Sequence, residues 1–237
     1  MIVTCRPERL RLITQTDHAA FAADLLKLWT NDGAPRHPRR RELLFAAREH
    51  DNGWRETDSA PLCNRESGRP YSFIDLPASE KIRIWHRGPR RHREREPYAS
   101  LLIAHHAQNI YGRYRGEAVW EESFADWAAL EGELAAELGT DAETVAADYR
   151  FVYWTDALSL AACGAFAEPF EHQGVRCEPR HGDAETTLAV DPFPLAGATT
   201  FRIRCRFIPD RRYASDTELA VTLAAARWQE HVVRLVP

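Results

Sequence analysis

Asp156 lies in the run Phe151-Val152-Tyr153-Trp154-Thr155-Asp156-Ala157-Leu158-Ser159-Leu160, where most neighbours are apolar. A carboxylate turned into a core is costly unless something pairs with it. A fold that buries this segment must give Asp156 a metal or a histidine, or else turn it to solvent. A second stretch, Glu49-His50-Asp51-Asn52-Gly53-Trp54, bears on the same question. A His-Asp pair closing an apolar helix is a compact metal-binding unit. Neutral imidazole suits first-row transition metals, and the adjacent carboxylate adds charge and can bridge two ions.

Periodicity places these residues on helices. Residues 10–15 read as a short strand. Thr16 or Asp17 then caps a helix to about residue 29, with His18 in its first turn and Asp17 able to orient it. A helix over residues 39–50 puts His50 and Asp51 at its C-terminal end, and Gly53 is placed to stop it. Residues 52–80 read as an ordered loop, long enough to be functional. A short helix over residues 79–85 leads to His86, and Pro97 opens an apolar helix through His105 and Ile110. Residues 121–138 are amphipathic, and Thr140 or Asp141 caps a helix to about residue 163. After Gly164 the pattern changes. Strands are expected over residues 186–190, 200–207 and 231–236, with a capping box, Ser215-Asp216-Thr217-Glu218, opening a short helix before the last. The expected architecture is mainly α: a helical metal-binding domain over residues 1–165 and a small α+β appendage, strand-helix-strand, over residues 166–237.

Composition narrows the functions. A chain of 237 residues with 44% hydrophobic content can build a sizeable core. A net charge of −4 gives no global field toward nucleic acid. The five cysteines are odd in number and form no C-x-x-C pair. They read as reduced thiols of a cytoplasmic protein. No apolar run has the length of a membrane span, so no membrane partner is expected.

A hydrolytic metal centre needs neutral or anionic ligands and open positions for water and substrate. His18, the His50-Asp51 pair and Asp156 supply the first from three helices. His105 and His106 are adjacent and cannot share a helix face, so one of them is structural. His86 borders an arginine-rich stretch and is either a ligand or exposed. Arg83 or Arg87 could close over an anionic substrate. Trp54 and Arg55 follow the ligand pair and could line the pocket; Trp54 could equally anchor the core.

The order His18, His50-Asp51, His86, His106, Asp156 resembles the HD-domain superfamily of metal-dependent phosphohydrolases and its diiron oxygenase branch. The resemblance implies an HD-domain-like helical bundle. It implies one ion on His18, His50, Asp51 and Asp156, and a second on Asp51, His86 and His106. The cofactors would be one or two divalent transition metals (Fe, Mn, Zn, Co or Ni). The implied reaction is hydrolysis of a phosphate ester or phosphoanhydride, with Asp51 catalytic and a small anionic substrate. Two other readings stand beside it: a mixed-valence diiron oxygenase cleaving a C–C or C–P bond, and a non-catalytic, metal-stabilised binding protein. Residues 166–237 are expected to cover one end of the helical domain or to make a homodimer contact. The stretches Ile13-Thr14-Gln15-Thr16-Asp17-His18-Ala19, His50-Asp51-Asn52-Gly53-Trp54, Gly68-Arg69-Pro70-Tyr71-Ser72-Phe73, Tyr98-Ala99-Ser100-Leu101-Leu102 and Asp156-Ala157-Leu158-Ser159-Leu160 are also similar to the DUF3891 family, over nearly the whole chain. In that family's pattern a single histidine follows the Leu-Leu stretch. It aligns with His106, and no histidine is demanded at position 86.

Overall fold

The computed structural model describes residues 1–182 and 184–237. The chain opens on a hairpin, β1 (Ile2–Arg6) and β2 (Arg9–Ile13). Thr14 then caps α1 (Gln15–Leu28): its Oγ1 accepts from the Asp17 N–H at 3.0 Å, satisfying a donor that the helix leaves unpaired. The cap is therefore neither Thr16 nor Asp17. α2 (Arg40–Glu49) ends at His50, one turn over Asn52–Trp54 follows, and α3 (Arg55–Ser59) interrupts what reads in sequence as loop. The helical part is completed by α4 (Ala78–Arg87), α5 (Pro97–Ile110), α6 (Ala118–Leu138) and α7 (Ala142–Ala162). Asp141 caps α7 through the Thr144 N–H at 2.7 Å.

The remaining chain forms β3 (Phe170–His172), β4 (Val175–His181), β5 (Glu185–Asp191), β6 (Thr199–Pro209), α8 (Asp216–Ala225) and β7 (Trp228–Val236). Seven strands make one sheet in the order β1-β2-β6-β7-β5-β4-β3, antiparallel except for the β5–β7 pair. The fold is therefore α+β, and the expected mainly α, HD-like bundle with an appendage is corrected. The hairpin β1-β2 pairs with β6, from Arg9 opposite Pro209 to Leu12 opposite Arg206. Residues from both ends of the chain thus share one sheet. β2 falls on the strand expected near residues 10–15, β1 does not show its period in sequence, and the pairing of β2 with β6 is set by tertiary packing rather than local pattern.

Helices cover both faces of this sheet. On one face Ile203, Leu188, Val233 and Leu235 share a core with Leu25, Leu101 and Leu158, and the Phe21 ring meets Phe201 edge-on at 5.2 Å. On the other, Leu10, Leu12 and Ile208 pack under Leu219 and Leu223 of α8. A separate cluster of Trp54, Trp85 and Trp127 sits between α4, α5 and α6. Each such side chain contributes about 1.5–3 kcal/mol on burial. α1 and α5 each pack on α2 and α7, and α2 packs on α7. Their shared interior is not uniformly apolar: it encloses the polar cluster described next.

Candidate metal centre

His18, His50, Asp51, His106 and Asp156 converge between α1, the end of α2, α5 and α7, and all five are buried. Two overlapping groups, His18-His50-Asp51 and His50-His106-Asp156, each bring their ligand atoms within 4.8 Å of one another. His50 belongs to both groups, and only its Nε2 faces the cluster, so the two groups cannot each hold an ion through it at once.

The ring orientations are fixed from behind. Nδ1 of His50 lies 2.8 Å from the Ala47 carbonyl, which can only accept, so Nδ1 carries the proton. Ser159 gives its hydroxyl proton to the Asp156 carbonyl at 2.8 Å. Its Oγ must then accept from Nδ1 of His18, at 2.7 Å. Nδ1 of His106 meets the Tyr149 hydroxyl at 2.9 Å. Burial raises the Tyr149 phenol well above its ordinary value, so it stays neutral. With Nδ1–H donated to Tyr149, all three rings turn Nε2 toward the two carboxylates. This is the arrangement that orients metal-ligating histidines elsewhere.

Distances around the cluster suit an ion. A tetrahedral ion with ligands at about 2.1 Å spaces them roughly 3.4 Å apart. His50 Nε2 lies 3.2 Å from Asp156 Oδ1 and 3.7 Å from Asp51 Oδ2, and His106 Nε2 lies 3.8 Å from Asp156 Oδ2. His18 Nε2 and Asp51 Oδ2 are closer, at 2.6 Å, a hydrogen-bond distance. They must part if both are to ligate one ion. Nε2 of His50 is buried and, despite its distance to Asp156, lacks the alignment of a hydrogen bond. An orphaned buried nitrogen facing two carboxylates fits a cation.

The electrostatics agree. Burial opposes charge on His50, yet Asp156 and Asp51 outweigh it and raise the ring to about 9. Burial likewise opposes ionisation of Asp156, but His50 foremost, then His106 and His18, hold it down to about 2. His106 is lowered to about 4, chiefly by burial, and is neutral as a ligand must be. The field at the centre attracts positive charge, whether proton or metal ion.

Other sequence candidates fall elsewhere. His86 is 64% exposed and faces Asp126 at 3.9 Å, outside the cluster, so the expected second ion loses that ligand. His105 points to Glu131 on α6 at 2.9 Å, which leaves His106 as the inward histidine. Adjacent helix residues are rotated by about 100°. Trp54 is a core anchor. Arg55 pairs with Glu49 at 2.5 Å, Arg83 pairs with Glu80, and Arg87 donates to the Gly53 carbonyl at 2.7 Å. None of the three arginines touches the centre. Asp17, expected to orient His18, instead accepts from Thr14 at 2.6 Å. Ser159 and Tyr149 do the orienting for their histidines, and the sequence reading missed both. Their signal was helical spacing: they sit three residues after and seven before Asp156, on its own face of α7.

Fold and centre together define an α+β protein with a buried His–Asp cluster that could hold a metal ion. A family model described as "Protein of unknown function (DUF3891)" matches residues 1–210, and the chain belongs to that family. No curated protein and no solved structure matches it. Among the described residues, no helix is long and apolar enough to cross a membrane.

Proposed function

We propose that this chain is a metal-dependent hydrolase whose ion is held by His50 together with ligands drawn from His18, Asp51, His106 and Asp156. The observation that carries the reading is the set of three imidazoles, each tied through Nδ1 and each turning Nε2 toward Asp51 or Asp156. A divalent ion held there supplies a Lewis acid and lowers the pKa of water. The chain's own groups do the rest. Asp51 Oδ2 and His18 Nε2, 2.6 Å apart, separate to take the ion, while Ser159 steadies the His18 ring through Nδ1. Asp156 joins the centre to a surface cleft and so sets the side from which substrate approaches.

The expectation of a phosphate ester or phosphoanhydride came from the resemblance to the HD-domain superfamily; Arg83 and Arg87, offered to close over its anion, are engaged away from the centre. Hydrolysis as a reaction class does not depend on them. The oxygenase reading required His86 beside a second ion, and the position of His86 withdraws that support.

Elemental mass spectrometry of the wild type, with His50→Ala and Asp156→Ala, tests the proposal together with a panel of p-nitrophenyl esters. The expected result is one divalent ion per folded chain, lost in both variants, and metal-dependent release of p-nitrophenol. A folded protein with no metal above background overturns the reading. So does bound metal with no hydrolysis, which would favour a metal-stabilised binding protein.

A further inference from the structure

The cleft that reaches Asp156 encloses about 730 Å³, within the range of small-molecule sites. Its floor is one face of α7: Tyr153, Asp156, Ala157 and Leu160 follow helical spacing. Phe166 and Phe170 line it from the segment after α7, and Phe73 from the loop before α4. Ile74, 54% exposed, extends the apolar wall to the rim. From Asp156 to Leu160 the floor runs about 6 Å along the helix. An apolar body laid along it places its head at the metal ligands.

The charges of the cleft select against polyanions. Asp51 and Asp156 match the two charges of a divalent ion, so the rim sets the remaining field. There Arg113 stands against Glu168 and Glu171. A phosphate dianion is recognised by converging guanidinium forks, and this cleft offers one.

We infer that the substrate is an uncharged carboxylic ester with an aliphatic or aromatic acyl body, bound along Ala157, Leu160, Phe166 and Phe170 with its carbonyl at Asp156. The inference rests on the hydrolase reading and narrows it. In the reaction, water adds to the acyl carbon and the C–O bond to the alcohol breaks. One proton of that water ends on the departing alcohol, and the acid product ionises.

The test compares p-nitrophenyl acetate, butyrate, hexanoate and octanoate with p-nitrophenyl phosphate on the metal-loaded protein. Binding of the neutral fluorophore N-phenyl-1-naphthylamine is measured alongside, because it needs no chemistry. We expect kcat/KM to rise about threefold to fourfold per added methylene, the transfer free energy of a CH₂ group, until the cleft is filled. Phosphate turnover is expected to be at least 100-fold lower than that of the octanoate. Ile74→Glu, at an exposed rim position that leaves the core intact, should flatten the chain-length slope and weaken fluorophore binding. Leu160→Gln should do the same from the floor. Metal-dependent hydrolysis with no chain-length slope, or with phosphate preferred, overturns this inference and leaves the hydrolase reading standing. Fluorophore binding with bound metal but no turnover of any ester overturns both.

Discussion

Ser159 and His18 meet across the α1–α7 interface at 2.7 Å, and the direction of their hydrogen bond is determined. The serine proton is committed to the Asp156 carbonyl, so the imidazole Nδ1 must donate. Ser159→Ala leaves the His18 ring free to turn while removing only one oxygen. Loss of such a supporting bond typically costs 10–100-fold in metal affinity. That decrease is expected in a competitive chelator titration, with the far-UV circular dichroism unchanged.

His86 and His106 separate a surface residue from a ligand. His86→Ala is expected to change stability by no more than about 0.5 kcal/mol, as for an exposed side chain away from special contacts. It should leave metal content unchanged. His106→Ala should lose metal, and its Tyr149 partner should lose a buried hydrogen bond. Metal analysis and urea unfolding of the two variants side by side check this.

Gly53 was expected to stop a helix, but close packing against α4 requires it. A Cβ at this position would overlap the backbone carbonyl oxygen of Ile84 and crowd Gly88. Backbone cannot rotate away as a side chain can. Gly53→Ala should destabilise the protein by about 1–3 kcal/mol, the usual cost of overpacking. Because Asn52 also ties α2 to Gly88, donating to its carbonyl at 3.0 Å, the metal centre should loosen with it. Denaturant unfolding, with and without added metal, reads both effects.

A buried chain of polar groups makes stability depend on acid. Arg11 Nη1 donates to Nδ1 of His231 at 2.8 Å, so His231 donates from Nε2 to Thr186 at 2.9 Å. Burial first, then the charges of Arg11 and Arg6, lower His231 to about 3. Between about pH 6.5 and about pH 3 the unfolded chain therefore binds a proton that the folded chain refuses. This contribution is complete above pH 6.5 and falls away as pH drops toward 3, by about 2–4 kcal/mol in all. His231→Gln should remove that part of the slope. Urea midpoints of wild type and variant between pH 7 and pH 4 provide the comparison.

Much of the helical part was legible from residue pattern. The expected helix over residues 39–50 forms as Arg40–Glu49, and Asp141, one of two expected caps, caps Ala142–Ala162. The expected strands near 186–190, 200–207 and 231–236 also form. β1, β3 and β4 were missed. Ile2–Arg6 is short and carries a charge at its end, and Val175–His181 contains Pro179. Each pairs in a hairpin with its chain neighbours, β1 with β2 and β4 with β3 and β5, so weak alternation rather than distance hid them.

By itself the sequence determined which segments are amphipathic and that Asp156, set in an apolar helix, was a costly residue to bury. It also placed His18 and the His50-Asp51 pair at helix ends, where side chains can turn inward. Tertiary structure decided the rest. It selected His106 over His105, left His86 in solvent, engaged the arginines elsewhere, and recruited Ser159 and Tyr149 behind the ligands. It also joined the two ends of the chain in one sheet. The physical reason is the same in each case. Helical and strand periods are local and specify a face, whereas the partner of that face depends on how helices rotate and strands register against distant segments.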